Sequence, residues 1–461
     1  MVNMNSKIRD ILYSHIFPLT AYYVLIVSAL NYYDKSVGAP DKYDLYLYAS
    51  FILIIINYEI IKRVSNQSTL LVLWLWFVWP VLGISYAGSF NNLKNTWELA
   101  YSNTINFYQP LFIHYIFSTA FCLGALLAEK FNNSDKVLFV GLPKDSPKRA
   151  WQNILLAFPL VFFASMYFAW GTIPLLSGAR IVDDMYEVKI GITQAFVLII
   201  FFSVQYTAQN VINARTPFLK GFWIFVTITF LFISACDGKR VILLMSLIGV
   251  YQLVIKIRGS VSKIGLYTLL CIVAITYITV ELIRSANSGV FTTDGLLGGI
   301  GVEFMEFAWT TTYYDPGQIP GYSWTKSTFA SVVNSTVLNL FGLSKQSMIQ
   351  MDSARAWSDL HNTPFGIRSG IISELYFEFG YFAVALIGVL GAAFTKLCIQ
   401  MNSTESYPNY LFLLSIYCLS ALALMGQSTV TFGGITTSFY IWIAYKIVAV
   451  FSSRTLSRQT L

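Results

Sequence analysis

Thr69-Leu-Leu-Val-Leu-Trp-Leu-Trp-Phe-Val-Trp-Pro-Val-Leu-Gly-Ile-Ser-Tyr-Ala-Gly88 holds no Asp, Glu, Lys or Arg, and this stretch decides the fold. About 20 apolar residues at helical rise cross the hydrocarbon core of a bilayer. Runs of the same kind recur to both ends of the chain. Twelve spanning candidates centre on 11–32, 44–61, 69–88, 109–128, 151–171, 189–208, 221–236, 241–255, 264–283, 378–397, 409–427 and 437–452. The seventh and eighth are short and separated only by Asp237–Arg240, so a helical hairpin that does not fully cross is the alternative for that pair. The expectation is an all-α polytopic integral membrane protein with about twelve transmembrane helices.

Composition agrees. The chain has 461 residues, 56% hydrophobic, 16% aromatic and 11% charged. A soluble domain carries roughly 25% charged residues, so this chain has too little polar surface to face water. Its length would allow two or three soluble domains, but that prior assumes water as the solvent. The polar ends are only about ten residues long, and no soluble enzyme domain is expected at either. The first apolar run lacks a small-residue cleavage site and reads as a retained helix. Cys122, Cys236, Cys271, Cys398 and Cys418 lie in or beside apolar stretches. Without a CxxC pair or metal spacing, neither a disulfide scaffold nor a zinc site is expected.

Charge sets the orientation. With twelve helices, loops on the side of the N-terminus hold 17 basic residues, against 7 in the short loops opposite. Five more (Arg284, Lys326, Lys345, Arg355 and Arg368) belong to one very long loop, and long loops translocate largely regardless of charge. Both termini are therefore expected in the cytoplasm. Of the 23 acidic residues, 17 fall on the outer side. The long loop, 284–377, mixes Trp309, Tyr313, Tyr314, Tyr322, Trp324 and Trp357 with Gly, Asp and Ser, so it is not low-complexity. Long ordered loops usually carry function. Within it, Leu296–Trp309 and Phe329–Leu343 have helical apolar spacing and are expected along the membrane interface. No internal repeat suggests the inverted halves of a transporter.

The outer arginines are the candidate binding residues. Arg180 lies in Ser177-Gly-Ala-Arg-Ile-Val-Asp-Asp, Arg240 in Cys236-Asp-Gly-Lys-Arg, Arg284 in Glu281-Leu-Ile-Arg and Arg368 in Gly366-Ile-Arg-Ser-Gly. Each guanidinium can be satisfied locally, Arg240 by Asp237, Arg284 by Glu281 and Arg180 by Asp183, or can snorkel. Four converging on one face would instead bind a multiply charged anion, since guanidinium matches phosphate geometry. His361, in His361-Asn-Thr-Pro-Phe-Gly-Ile-Arg, puts a titratable base seven residues before Arg368. Glu374 and Glu378 follow at i,i+4. They read either as carboxylates suited to the start of the tenth helix or, for Glu374, as a functional group. Asp183, Asp184 and Glu187 form the best metal candidate. Adjacent loop aspartates are commonly just solvated, no further ligand is identifiable, and no metal or cofactor is expected.

These elements resemble the O-antigen polymerase family of bacterial inner-membrane enzymes. The resemblance lies in Gly171-Thr-Ile-Pro-Leu-Leu-Ser-Gly-Ala-Arg180, in Gly238-Lys-Arg240 opening a helix, and in His361-Asn through Ser373-Glu-Leu-Tyr-Phe-Glu-Phe-Gly380. It extends to the layout, with many helices, one dominant outer loop and no soluble domain. The His-Asn element followed by an acidic residue and Gly also resembles the related O-antigen ligases, with a different spacing. The resemblance implies a membrane glycosyltransferase (GT-C-like) architecture and a periplasm-facing site in the bacterial inner membrane. Its substrate would be an undecaprenyl-diphosphate-linked oligosaccharide. Arg180, Arg240, Arg284 and Arg368 would hold the diphosphate, and His361 and Glu374 would serve as catalytic groups. Membrane lipids and a chain-length regulator protein are the implied partners, and no nucleic acid is. A flippase for the same lipid-linked sugars is the alternative from another class. It would place ionisable residues near mid-membrane on both halves, whereas here they collect on one side.

Overall fold

The computed structural model describes residues 17–37, 45–93, 105–132, 149–173, 198–236, 241–259, 293–333, 335–360, 370–425 and 428–458, with 141, 175, 275, 279 and 283 as single positions. Of the described residues 86% are helical and none is in a strand. Eleven of the twelve apolar stretches overlap a helix in their described residues. These are α1 (Phe17–Val37), α2 (Leu45–Ile61), α3 (Gln67–Leu93), α4 (Tyr108–Phe131), α5 (Arg149–Trp170), α6 (Leu198–Asn213), α7 (Pro217–Ile233), α8 (Val241–Arg258), α15 (Ala383–Ser403), α16 (Tyr407–Met425) and α17 (Ser428–Arg458). The remaining one, 264–283, lies outside the described residues apart from 275, 279 and 283. The long loop contributes α9 (Thr293–Tyr313), α10 (Trp324–Val332), α11 (Ser335–Leu340), α12 (Lys345–Ile349), α13 (Ser353–Leu360) and α14 (Gly370–Phe379).

Among the described residues, five helical runs are long and apolar enough to cross a membrane: Gln67–Ser85, Tyr108–Phe131, Arg149–Trp170, Gly370–Ser403 and Tyr407–Leu424. The protein is thus a helical membrane protein. Leu45–Ile61 and Pro217–Ile233 are apolar but shorter. The 17 residues of α7 rise only about 26 Å, under the ~30 Å of a hydrocarbon core. α7 opens with Pro217 in its first turn, and the Thr216 hydroxyl accepts from Leu219 N–H at 3.3 Å. Both features satisfy an N-terminus that has no preceding helical carbonyls.

The chain divides into two compact units. One comprises Met1–Asn132, Leu297–Thr395 and Leu422–Val430; the other comprises Asn133–Leu296, Lys396–Ala421 and Thr431–Leu461. In the first, α2 packs on α4 and α1 on α3. Pro80 lies inside α3 and has no N–H to give the carbonyl one turn back, that of Trp76. His114 of α4 supplies the missing donor, its Nε2 lying 3.0 Å from that oxygen. A carbonyl only accepts, so this imidazole carries its proton on Nε2. The Phe77 carbonyl accepts from the Tyr115 hydroxyl at 3.2 Å and from that of Tyr22, and the two hydroxyls lie 2.6 Å apart. In lipid such backbone groups must find partners inside the protein. α4 and α15 meet at glycines: a Cβ at Gly124 would overlap the Gly388 carbonyl, and one at Gly391 would overlap that of Phe121. Small residues permit this close approach of backbones.

In the second unit α6 packs on α5, α7 and α8. Phe162, Met166, Ile200, Val204, Phe230, Ile233 and Cys236 form its buried core. Gln205 Nε2 donates to the Ser246 carbonyl at 3.0 Å and Gln252 Nε2 to the Tyr417 hydroxyl at 2.9 Å, polar ties of the kind that join helices where water is absent. The Lys256 ammonium donates to the carbonyls of Asn402, 2.7 Å, and Thr404, 2.5 Å. It thereby caps the C-terminus of α15, where a cation suits the helix dipole. Cys122, Cys236, Cys398 and Cys418 are buried, with no disulfide among the described residues, and Cys271 lies outside them.

Candidate functional site

The described part of the long loop is folded. Its centre is Trp357 on α13, 0% exposed. The indole Nε1 donates to Thr310 Oγ1 of α9 at 2.6 Å, the ring meets Tyr322 edge-on at 5.0 Å, and Phe377 of α14 stands 5.8 Å away. The Tyr322 hydroxyl donates to the backbone carbonyl of Glu374 at 2.6 Å. Burial pushes this hydroxyl's pKa well above its ordinary value, and the charges of Glu374, Glu378 and Asp352 add to the effect. The loop is held on α14 by Gly317, whose N–H donates to the Phe377 carbonyl at 2.8 Å. Gly317 has φ of +80°, a left-handed conformation that side chains with a Cβ disfavour.

Glu374 is fully buried on α14. Its Oε1 accepts from the Ser353 hydroxyl, the first residue of α13, at 2.5 Å. Beside it Ser373 Oγ is buried with no hydrogen-bond partner among the described residues. A buried carboxylate is retained only where hydrogen bonds or charges offset its desolvation, and the Ser353 hydroxyl supplies one such bond here. α13 ends at Leu360 and α14 starts at Gly370, so the nine residues between them in sequence carry His361 and Arg368. Those two, with Arg180, Arg240 and Arg284, lie outside the described residues, as do Asp183, Asp184 and Glu187.

Glu378 has a different task from the one its sequence position suggests. It lies near the C-terminal end of α14 and serves the N-terminus of another helix. Its carboxylate accepts from Ser323 Oγ (3.2 Å), Trp324 N–H (3.1 Å), Thr325 N–H (3.4 Å) and Thr325 Oγ1 (2.8 Å), all at the start of α10. The dipole it complements is therefore that of α10. Glu129 does the same for α3, accepting from Ser65 N–H at 2.9 Å and Asn66 N–H at 2.8 Å.

Two further carboxylates enter the loop assembly unforeseen. On α9 every residue from Glu303 to Thr310 is buried, with Glu306 at 0% and Glu303 at 7% exposure. Phe304 stacks on Phe107 at 6.3 Å and meets His114 edge-on at 5.6 Å, while Thr312 Oγ1 accepts from Asn106 N–H at 2.9 Å. α9 thus runs beside the first turns of α4, packed on all sides at its middle, where an interfacial helix would leave one face open. Glu303, Glu306 and Thr310 fall at i, i+3 and i+7, one face of the helix, and Thr310 on that face reaches Trp357. The spacing Glu-x-x-Glu within an apolar helix is the sequence signal that could have found them.

No family model, curated protein or solved structure matches the chain.

Proposed function

We propose that the protein polymerises oligosaccharide repeat units carried on undecaprenyl diphosphate, the product being a surface polysaccharide of the O-antigen type. It would do so as a glycosyltransferase with about twelve spans and a GT-C-like architecture in a bacterial inner membrane, its site facing the periplasm. The observation that carries this reading is the folded outer loop, which buries Glu374 against Ser353 and Tyr322. Ahead of its helix in sequence run the residues that include His361 and Arg368. That is a one-sided site, suited to chemistry at one membrane face.

In the reaction the acceptor hydroxyl oxygen of a new lipid-linked unit bonds to C1 of the sugar at the reducing end of the growing chain. The bond from that carbon to the diphosphate oxygen breaks, and undecaprenyl diphosphate leaves with the electron pair. The acceptor's proton passes to His361 or Glu374. Diphosphate is already a good leaving group, so the demands are charge stabilisation and alignment. Arg180, Arg240, Arg284 and Arg368 are the candidates for the first. A hydrogen bond to a charged group contributes roughly 1.5–3 kcal/mol, so two or three arginines suffice to hold the diphosphate without a metal.

The test is a gel of surface glycan, with a blot for protein level, from cells carrying Arg284→Lys or Glu374→Gln. Lysine keeps the cation and loses the planar fork that grips two phosphate oxygens. Collapse of the long-chain ladder to a single repeat unit, with protein present, is the expected outcome. Loss of the repeat unit from the surface altogether would point to a flippase or to the related ligase, which attaches the chain to lipid A-core. Wild-type ladders from both variants would overturn the assigned roles.

A further inference from the structure

We propose that the segment 324–351 is a membrane-inserting finger, which seats Leu340 and Phe341 in the leaflet at the outer end of α15 and takes anionic phospholipid headgroups at its base. The proposal is independent of the polymerase reading, since it needs only a bilayer around the spanning helices.

The root of the finger lies at the membrane boundary. Within the helical run Gly370–Ser403, the 21 residues of α15 rise about 32 Å, enough by themselves to cross a ~30 Å hydrocarbon core. The start of α15 is therefore placed at the edge of that core. Gly380, with φ of +59°, breaks the run into α14 and α15, and the carboxylates of Glu374 and Glu378 precede that break. Phe382, directly after it, is 90% exposed, as a lipid-facing side chain is in a protein stripped of lipid. α10 starts at this level. Its first turn is tied to Glu378, and the Trp324 ring lies 6.2 Å from that of Phe379.

From this root the chain presents apolar side chains outward. Phe329, Val332, Val337, Leu340, Phe341 and Leu343 are all exposed, Leu340 at 80% and Phe341 at 76%. A soluble face of this composition would be an aggregation hazard, whereas a lipid surface covers it. The tip is preformed. Leu343 N–H donates to the Leu338 carbonyl and Gly342 N–H to that of Asn339, each at 3.0 Å. Gly342 takes φ of +69°, the left-handed helix ending that glycine permits. Leu338 is buried at the base, and Lys345 Nζ ties back to the Val333 carbonyl at 3.0 Å. A tip held in one shape loses little conformational entropy on insertion.

Charge selects the occupant. Between Asp315 and Asp352 no residue is acidic, and Lys326 and Lys345 are the only charges. This stretch of 36 residues thus has a purely cationic balance, which complements phosphate-bearing headgroups.

The test uses the full-length protein reconstituted in phosphatidylcholine–phosphatidylglycerol vesicles. Phe341→Cys is labelled with an environment-sensitive fluorophore, wild-type protein treated alike gives the background, and Gln318→Cys on the same loop serves as the water-exposed control. The expected result is emission shifted to shorter wavelength at position 341, quenched by nitroxide-bearing lipids and protected from aqueous iodide. Nitroxide quenching should weaken in vesicles of phosphatidylcholine alone. Iodide quenching equal to that at position 318 would overturn the proposal. Energy transfer between labelled copies without nitroxide quenching would also overturn it, assigning the tip to an interface between copies. Equal quenching in both vesicle types would overturn the headgroup contribution.

Discussion

Replacing Glu378 by Gln should loosen the first turns of α10 while leaving the spanning helices as they are. The carboxylate accepts four hydrogen bonds at that helix start, three on Oε1 and one, from Trp324 N–H, on Oε2. A glutamine whose oxygen keeps the first three turns its NH2 group toward Trp324 N–H, donor against donor. The lost hydrogen bond costs about 1 kcal/mol. Loss of the charge at the helix N-terminus adds about 0.3–1 kcal/mol, Glu378 being only half-buried. Together these come to about 1–2 kcal/mol, or roughly a 5–30-fold rise in local opening. Hydrogen exchange of the full-length protein in detergent, followed in peptides covering 324–333, reads that change directly. Glu129→Gln, which caps α3 in the same manner, should raise exchange at 65–69 and leave α10 alone. Unchanged protection of α10 in Glu378→Gln would refute the capping argument.

His114→Leu should destabilise the protein by about 1–3 kcal/mol, the penalty for a buried carbonyl left without a donor. Pro80→Ala restores a helical N–H to the Trp76 carbonyl, so in that background the same His114 change should cost less; equal costs in a double-mutant cycle of thermal unfolding would sink the pairing. Gly124→Ala should push α4 away from α15, because its Cβ would overlap the Gly388 carbonyl. A loss of about 1–3 kcal/mol is expected from overpacking, and a melting temperature at or above that of wild type would show that the two helices yield without strain.

Much of the helical layout is legible in the sequence because the rule behind it is local. An unbroken apolar run must satisfy its own backbone in lipid, and only a helix does that within one segment. Hence 69–88 announces α3 without reference to any other residue. What the sequence could not reveal depends on which helices become neighbours. His114 is one histidine among three in the chain until Pro80 on a different helix frees the carbonyl it serves. Glu378 shares a helix face with Glu374, yet one caps α10 and the other is buried against Ser353 and Tyr322. Glu303 and Glu306 look like the polar side of an interfacial helix until α4 and the loop close around α9. Hydropathy is a property of each segment taken alone, and it fixed the segments here. Burial, capping and the pairing of polar groups are properties of pairs of segments, and they came into being only when the helices packed.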